Sequence, residues 1–257
     1  MTKGSEIATI KPLTLGCGAG CEAAESAASA FLGPLPAQRP RTNVYVDGFN
    51  FYYAAFHEAR AALPQHLKWL DWRRLCENAL PRNEICSIRY FTAKVTSTPT
   101  DLGRPARREA YLRALRTVRD LTIHYGKFVV NQKYLKAVDP LAGQPKRPLV
   151  FVPEEKGSDV NLASYLVLDA CRGAYDVAVV VSNDSDLKEP VRLVREEIGK
   201  AVGVLRVDAE PRGCVFHDMV DFIRPLRASH FENSQFPDVV RVPTSGEVRR
   251  PAEWTRR

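Results

Sequence analysis

The segment Asp176–Val181 reads Asp-Val-Ala-Val-Val-Val, and Ser182-Asn183-Asp184-Ser185-Asp186 follows it at once. A strand so uniformly apolar has no face to offer water. It must be covered on both sides, as in a parallel sheet held between two layers of helices. Ala201–Val207 repeats the pattern, and Asn43–Val46 is a shorter version ended by Asp47-Gly48. In such sheets ligands bind outside the carboxyl ends of the strands. The residues just after each apolar run are therefore where chemistry is expected.

Helical and strand periodicities fill the intervals. Helices are predicted over Phe49–Leu63, from an Asp71 cap to about Leu80, and over Pro105–Asp120, Ser158–Arg172 and Leu187–Ile198. Ile85–Val95 reads as a strand and Thr122–Leu135 as a strand or hairpin. The alternation predicts an α/β fold, three-layered and Rossmann-like, with a mainly parallel central sheet. Residues 1–40, rich in Ala, Gly, Ser and Pro, read as a flexible tail, 41–237 as the folded domain and 238–257 as a loose basic tail. No apolar run reaches the length of a membrane-spanning helix, and the polar start does not resemble a secretory signal, so a cytoplasmic protein with no membrane partner is expected. Its six cysteines form no CxxC pair and read as reduced thiols. A net charge of +7 is compatible with a polyanionic partner but is too modest to identify one.

Carboxylates stand at three of the places the sheet rule selects. Asp47 ends the first apolar run, with Asn50 one turn later; Asp184 and Asp186 follow the second; Asp159 falls in the first turn of the helix from Ser158. Each alone has an ordinary explanation, as a turn residue or helix cap. Asp47, Asp184 and Asp186 would meet at one sheet edge if their strands are neighbours, and crowded carboxylates repel unless a cation joins them. An all-oxygen ligand set suits Mg2+ or Mn2+ and not zinc. Such an ion activates water and stabilises charge on a phosphodiester.

The segments Tyr45-Val-Asp47-Gly-Phe-Asn50-Phe-Tyr-Tyr53, Glu155-Lys-Gly-Ser-Asp159-Val-Asn-Leu-Ala163 and Val179-Val-Val-Ser-Asn-Asp184-Ser-Asp186-Leu187 together resemble the NYN domain family (LabA-like proteins) of the PIN-like nuclease superfamily. The likeness extends from about Asn43 to Pro237. It implies RNA as the partner and RNA cleavage by a hydroxide generated on a Mg2+ or Mn2+ ion. By motif, Asp47, Asp159, Asp184 and Asp186 would be the acidic residues, with Asp47 and Asp184 as direct ligands and Asn50 as a polar companion. No histidine pair offers an alternative base. The tails match no accessory RNA-binding module.

Substrate-facing candidates are Ser182 and Asn183 at the strand tip, Lys156 just before Asp159, and Arg104 and Arg108, which share a helix face. A solvated helix face explains the arginines equally well. The aromatics Phe49, Phe51, Tyr52, Tyr53 and Phe56 read as core, with Tyr52 or Tyr53 the exception. Two other functions stay open: an RNA-binding regulator that no longer cleaves, and a small-molecule phosphatase or oxidoreductase. The second is disfavoured because neither GxGxxG nor a P-loop occurs. A homo-oligomer is compatible with the sequence.

Overall fold

Strand β1 (Arg41–Asp47) is buried from its second residue to its last. That burial follows from its place: it pairs in parallel with β2 (Glu84–Ala93) on one side and with β5 (Val177–Val181) on the other. The computed structural model describes residues 38–57, 63–93, 101–138, 145–207, 213–243 and 246–256. The expected tail over 1–40 lies almost wholly outside them, as do Cys17, Cys21, residues 58–62 of the helix expected to Leu63 and the far end of the strand expected to Val95. Cys76, Cys86, Cys171 and Cys214 carry free thiols. No described helix is long and apolar enough to cross a membrane.

The central sheet has seven strands in the order β4-β3-β2-β1-β5-β6-β7. β3 is Leu121–Tyr134, β4 Leu149–Lys156, β6 Ala201–Arg206 and β7 Phe222–Pro225. Every pairing is parallel except that of β3 with β4, which makes β4 an antiparallel edge. This is the α/β architecture that the apolar runs demand. The chain builds outward from β1 to β4, then returns to lay β5 against the other flank of β1. β1 and β5 therefore flank the point where the strand order reverses, and a crevice forms there in open α/β sheets.

Helices α1 (Gly48–Phe56), α2 (Trp72–Ala79) and α3 (Arg104–Leu115) contribute to one core, which also holds Val44, Val46 and Phe231 from the short helix α6 (Ala228–Glu232). Helices α4 (Ser158–Cys171) and α5 (Lys188–Arg192) contribute to the second, which holds Tyr45 and Val180. The alternation Val44-Tyr45-Val46 thus feeds both cores, as a central strand must. Asp71 caps α2 as expected, accepting from the Arg73 and Arg74 amides.

Several expected boundaries move. α1 stops at Phe56. α3 stops at Leu115 rather than Asp120; tight turns follow, with the Thr117 and Val118 amides donating to the Ala114 and Leu115 carbonyls, and Asp120 takes the left-handed conformation (φ 58°) just before β3. The helix expected to Ile198 ends in a π-helical turn, Leu193–Glu197. β4 was not expected, since Pro153 breaks its pattern, yet an edge strand tolerates proline. The loose tail expected over 238–257 is corrected. β8 (Val239–Val242) and β9 (Gly246–Arg249) form a hairpin whose Val240, Val242 and Val248 are buried in the first core. The prolines and arginines around it hid a short in-out alternation.

Candidate metal centre

β1 and β5 run in register, with Val46 opposite Val181, so Asp47 and Ser182 leave the sheet side by side. The chain turns into α1 at Gly48, where a Cβ would lie 2.7 Å from the Tyr90 hydroxyl and 2.8 Å from the Phe91 carbonyl. Only glycine lets β1 bend here so close to β2. Asp47 then caps α1. Its Oδ1 accepts from the Phe49 amide at 3.2 Å and the Asn50 amide at 3.0 Å, and its Oδ2 from the Ser182 hydroxyl at 3.0 Å. The ordinary capping role and the cluster role coexist in one carboxylate.

Asp184 caps the 3-10 turn Ser185–Leu187, its Oδ1 accepting from the Asp186 amide at 3.0 Å, while its own amide donates to the Ser182 oxygen at 3.1 Å. Asp159 arrives on the first turn of α4, after Gly157 (φ 94°) has reversed the chain leaving β4. Asp47, Asp159 and Asp184 each place a carboxylate oxygen so that the three lie within 4.8 Å of one another.

The electrostatics show the cost of that crowding. Burial, joined by the Asp159 charge, pushes Asp47 up to about 6 against the pull of the two amides and Ser182. Asp159 is likewise raised, by burial first and then by Asp184 and Asp186. A divalent cation would relieve both effects. The spacing fits: one hard ion binds oxygens at roughly 2.0–2.6 Å, so opposed ligands stand up to about 5 Å apart. The donors are all oxygens, which matches Mg2+ or Mn2+ in type without selecting between them.

The other expected site residues fall into three groups. Asn50 and Ser182 brace the cluster: the Asn50 side-chain Oδ1 accepts from the Asn183 backbone amide at 2.9 Å, and Ser182 joins Asp47 to Asp184. Asp186 is exposed and stands outside the trio, though near enough for its charge to act on Asp159. Asn183 has both ends of its carboxamide engaged, donating to the Gly213 carbonyl and accepting from the Val215 amide, each at 3.0 Å. It ties the tip of β5 to the segment Gly213–Val215.

Lys156 closes β4 one residue before Gly157, on the exposed side of the Asp159 turn. Arg104 and Arg108 are not at the acidic cluster. They line a neighbouring cavity of about 500 Å3 with Tyr52, Tyr53 and Tyr90. Sequence reasoning missed Lys68, Tyr90 and Trp254 in that lining, which are scattered along the chain and share no motif.

A family model described as the NYN domain matches residues 41–224. The 6-hydroxy-3-succinoylpyridine 3-monooxygenase HspA of Pseudomonas putida is 30% identical, over 86% of this chain and 77% of its own length. A crystal structure of a protein of unknown function from Vibrio parahaemolyticus aligns with 79% of this chain and 99% of its own, at a TM-score of 0.48 and 17% identity. The family match begins at the first residue of β1, ends within β7, and takes in all three clustered aspartates. With a nuclease-type fold and an acidic trio at its switch point, this chain belongs to the NYN domain family.

Proposed function

We propose that this protein is a divalent-metal-dependent ribonuclease that hydrolyses RNA phosphodiesters at the Asp47–Asp159–Asp184 cluster. The observation that carries the reading is the convergence of those carboxylates, from three separate segments, on one point at the strand-order reversal. Asp47, Asp159 and Asp184 would hold Mg2+ or Mn2+, which when bound supplies Lewis-acid stabilisation of the phosphodiester and activation of water. Asn50 and Ser182 hold the carboxylates in place through the bonds described above. Lys156, at the end of β4 beside the start of α4, would meet an RNA phosphate.

The test is cleavage of single-stranded and structured RNAs with Mn2+ or Mg2+, comparing wild type, Asp184→Asn and an EDTA control. Cutting that needs the metal and disappears in Asp184→Asn supports the reading. Intact RNA with a folded wild type that still binds Mn2+ overturns it.

A second reading is favoured by one observation, the 30% identity to a monooxygenase. Under it the same cluster serves a small-molecule oxygenase. Dioxygen uptake dependent on 6-hydroxy-3-succinoylpyridine and a two-electron reductant, with RNA left intact, would select it.

A further inference from the structure

The cavity of about 500 Å3 lies between α1, the turn Gln65–Lys68, the start of α3 and the segment around Trp254. Its volume is that of a small-ligand site and excludes a folded RNA. Its walls combine two chemistries. Tyr52, Tyr53, Phe56 and Trp254 supply aromatic surface, and Tyr53 keeps 48% of its surface exposed. Lys68, Arg104 and Arg108 supply positive charge.

The acids in the lining are chiefly engaged elsewhere, though Asp101 also lies in the field of Arg104. Asp101 and Glu253 are both taken by Arg107, the latter at 2.9 Å. Lys68 donates to the Tyr52 hydroxyl at 2.9 Å and sits 4.7 Å from the Tyr52 ring centre and 5.3 Å from that of Phe56. The Arg108 guanidinium lies 5.1 Å from the Phe49 ring centre and donates to the Thr92 hydroxyl. Arg104 makes no ion pair among the described residues. The field is felt by His57, whose pKa is lowered by burial first and then by Lys68 and Arg104.

We infer that this cavity binds a planar aromatic ring carrying an anionic group, the ring between the tyrosine and tryptophan faces and the anion on Arg104 and Lys68. Stacking accepts any flat π-system, and a guanidinium with an ammonium recognises carboxylate and phosphate alike. Such a ligand is either one nucleotide of an RNA strand or a free aromatic acid. The site adjoins the acidic centre: Tyr90, in the lining, lies in the fields of both Arg108 and Asp47, and Phe49 is two residues from Asp47. The binding itself does not depend on the cleavage reading; only the direction of the ligand's reactive end rests on it.

The test is calorimetric titration of the full chain in EDTA with uridine 5'-monophosphate and with 4-hydroxybenzoate. Uridine and inorganic phosphate are the half-ligand controls for the nucleotide, phenol and acetate those for the benzoate. At least one intact probe binds more tightly than either half, and which one binds identifies the source. Arg104→Ala and Tyr53→Ala each weaken that binding by about tenfold or more. Arg119→Ala, four residues beyond the end of α3 and with a side chain 78% exposed, leaves it unchanged. Asp184→Asn also binds as wild type does, so failure of cleavage and failure of this site are separate results. No intact probe exceeding its halves, or equal affinity in the Arg104 and Tyr53 variants, overturns the inference.

Discussion

Asp47 carries the tension of the site in one side chain. It is buried, its neighbours are acidic, and its pKa stands at about 6 against an ordinary 3.8. A carboxylate raised in the folded state holds its proton there after the unfolded chain has lost it. Without metal, stability therefore falls as pH rises through the window from about 4 to 6, by an amount on the order of 3 kcal/mol. Urea denaturation in EDTA across that window should show the fall, and Asp47→Asn, which keeps a capping oxygen for the Phe49 and Asn50 amides, should flatten it. A slope unchanged in Asp47→Asn would assign the effect to other groups. At this scale much was legible. Asp47 and Asp184 follow from strand ends read against the sheet rule, and Asp159 joins them through the family motif. That Asp186 stands outside the trio was not legible, because it depends on how the Ser185–Leu187 turn orients successive residues. Nor was the tying of Asn183, whose partners lie at Gly213 and Val215.

Helix α4 brings Asp159 to the centre, so its seat on the sheet matters to the site. Its buried stripe runs Ser158, Leu162, Leu166, Asp169 and Ala170, with a carboxylate among apolar neighbours. Arg89 on β2 meets Asp169 through two bonds, at 2.7 and 2.9 Å, and the Tyr45 hydroxyl donates to the same carboxylate at 2.8 Å. The guanidinium also packs 4.5 Å from the Tyr165 ring centre. Removing one member strands the other in a partly desolvated place. Asp169→Ala should cost about 3–5 kcal/mol in urea denaturation, and Tyr45→Phe about 1 kcal/mol. A loss below about 1 kcal/mol in Asp169→Ala would mean that apolar packing alone seats the helix. The helix itself was legible from its periodicity. The ion pair was not, since Arg89 and Asp169 sit in separate elements that only the topology brings together.

Over the whole molecule, the segment after Pro237 closes one face of the first core. Arg250 pairs with Asp238 at 3.0 Å and donates to the Phe236 carbonyl at 3.0 Å. Val240, Val242 and Val248 are buried beneath the hairpin, and Trp254 packs against Trp69 and Tyr111. A chain ending at Pro237 loses these three valines and that indole. Each buried large apolar side chain stabilises by about 1.5–3 kcal/mol, so the truncation should remove several kcal/mol and lower Tm by about 10 °C or more. It also removes Trp254 and Glu253 from the cavity, freeing Arg107 from one of its two acids. The acidic trio takes no residue from this segment. Below its new Tm the truncated chain should therefore bind Mn2+ as the full chain does, while losing the ring ligand. Calorimetric scanning paired with the two titrations separates the outcomes. An unchanged Tm would return residues 238–257 to the loose tail that their prolines and arginines suggest. A lowered Tm with Mn2+ binding intact would show that the hairpin stabilises the domain and shapes the cavity without shaping the metal centre.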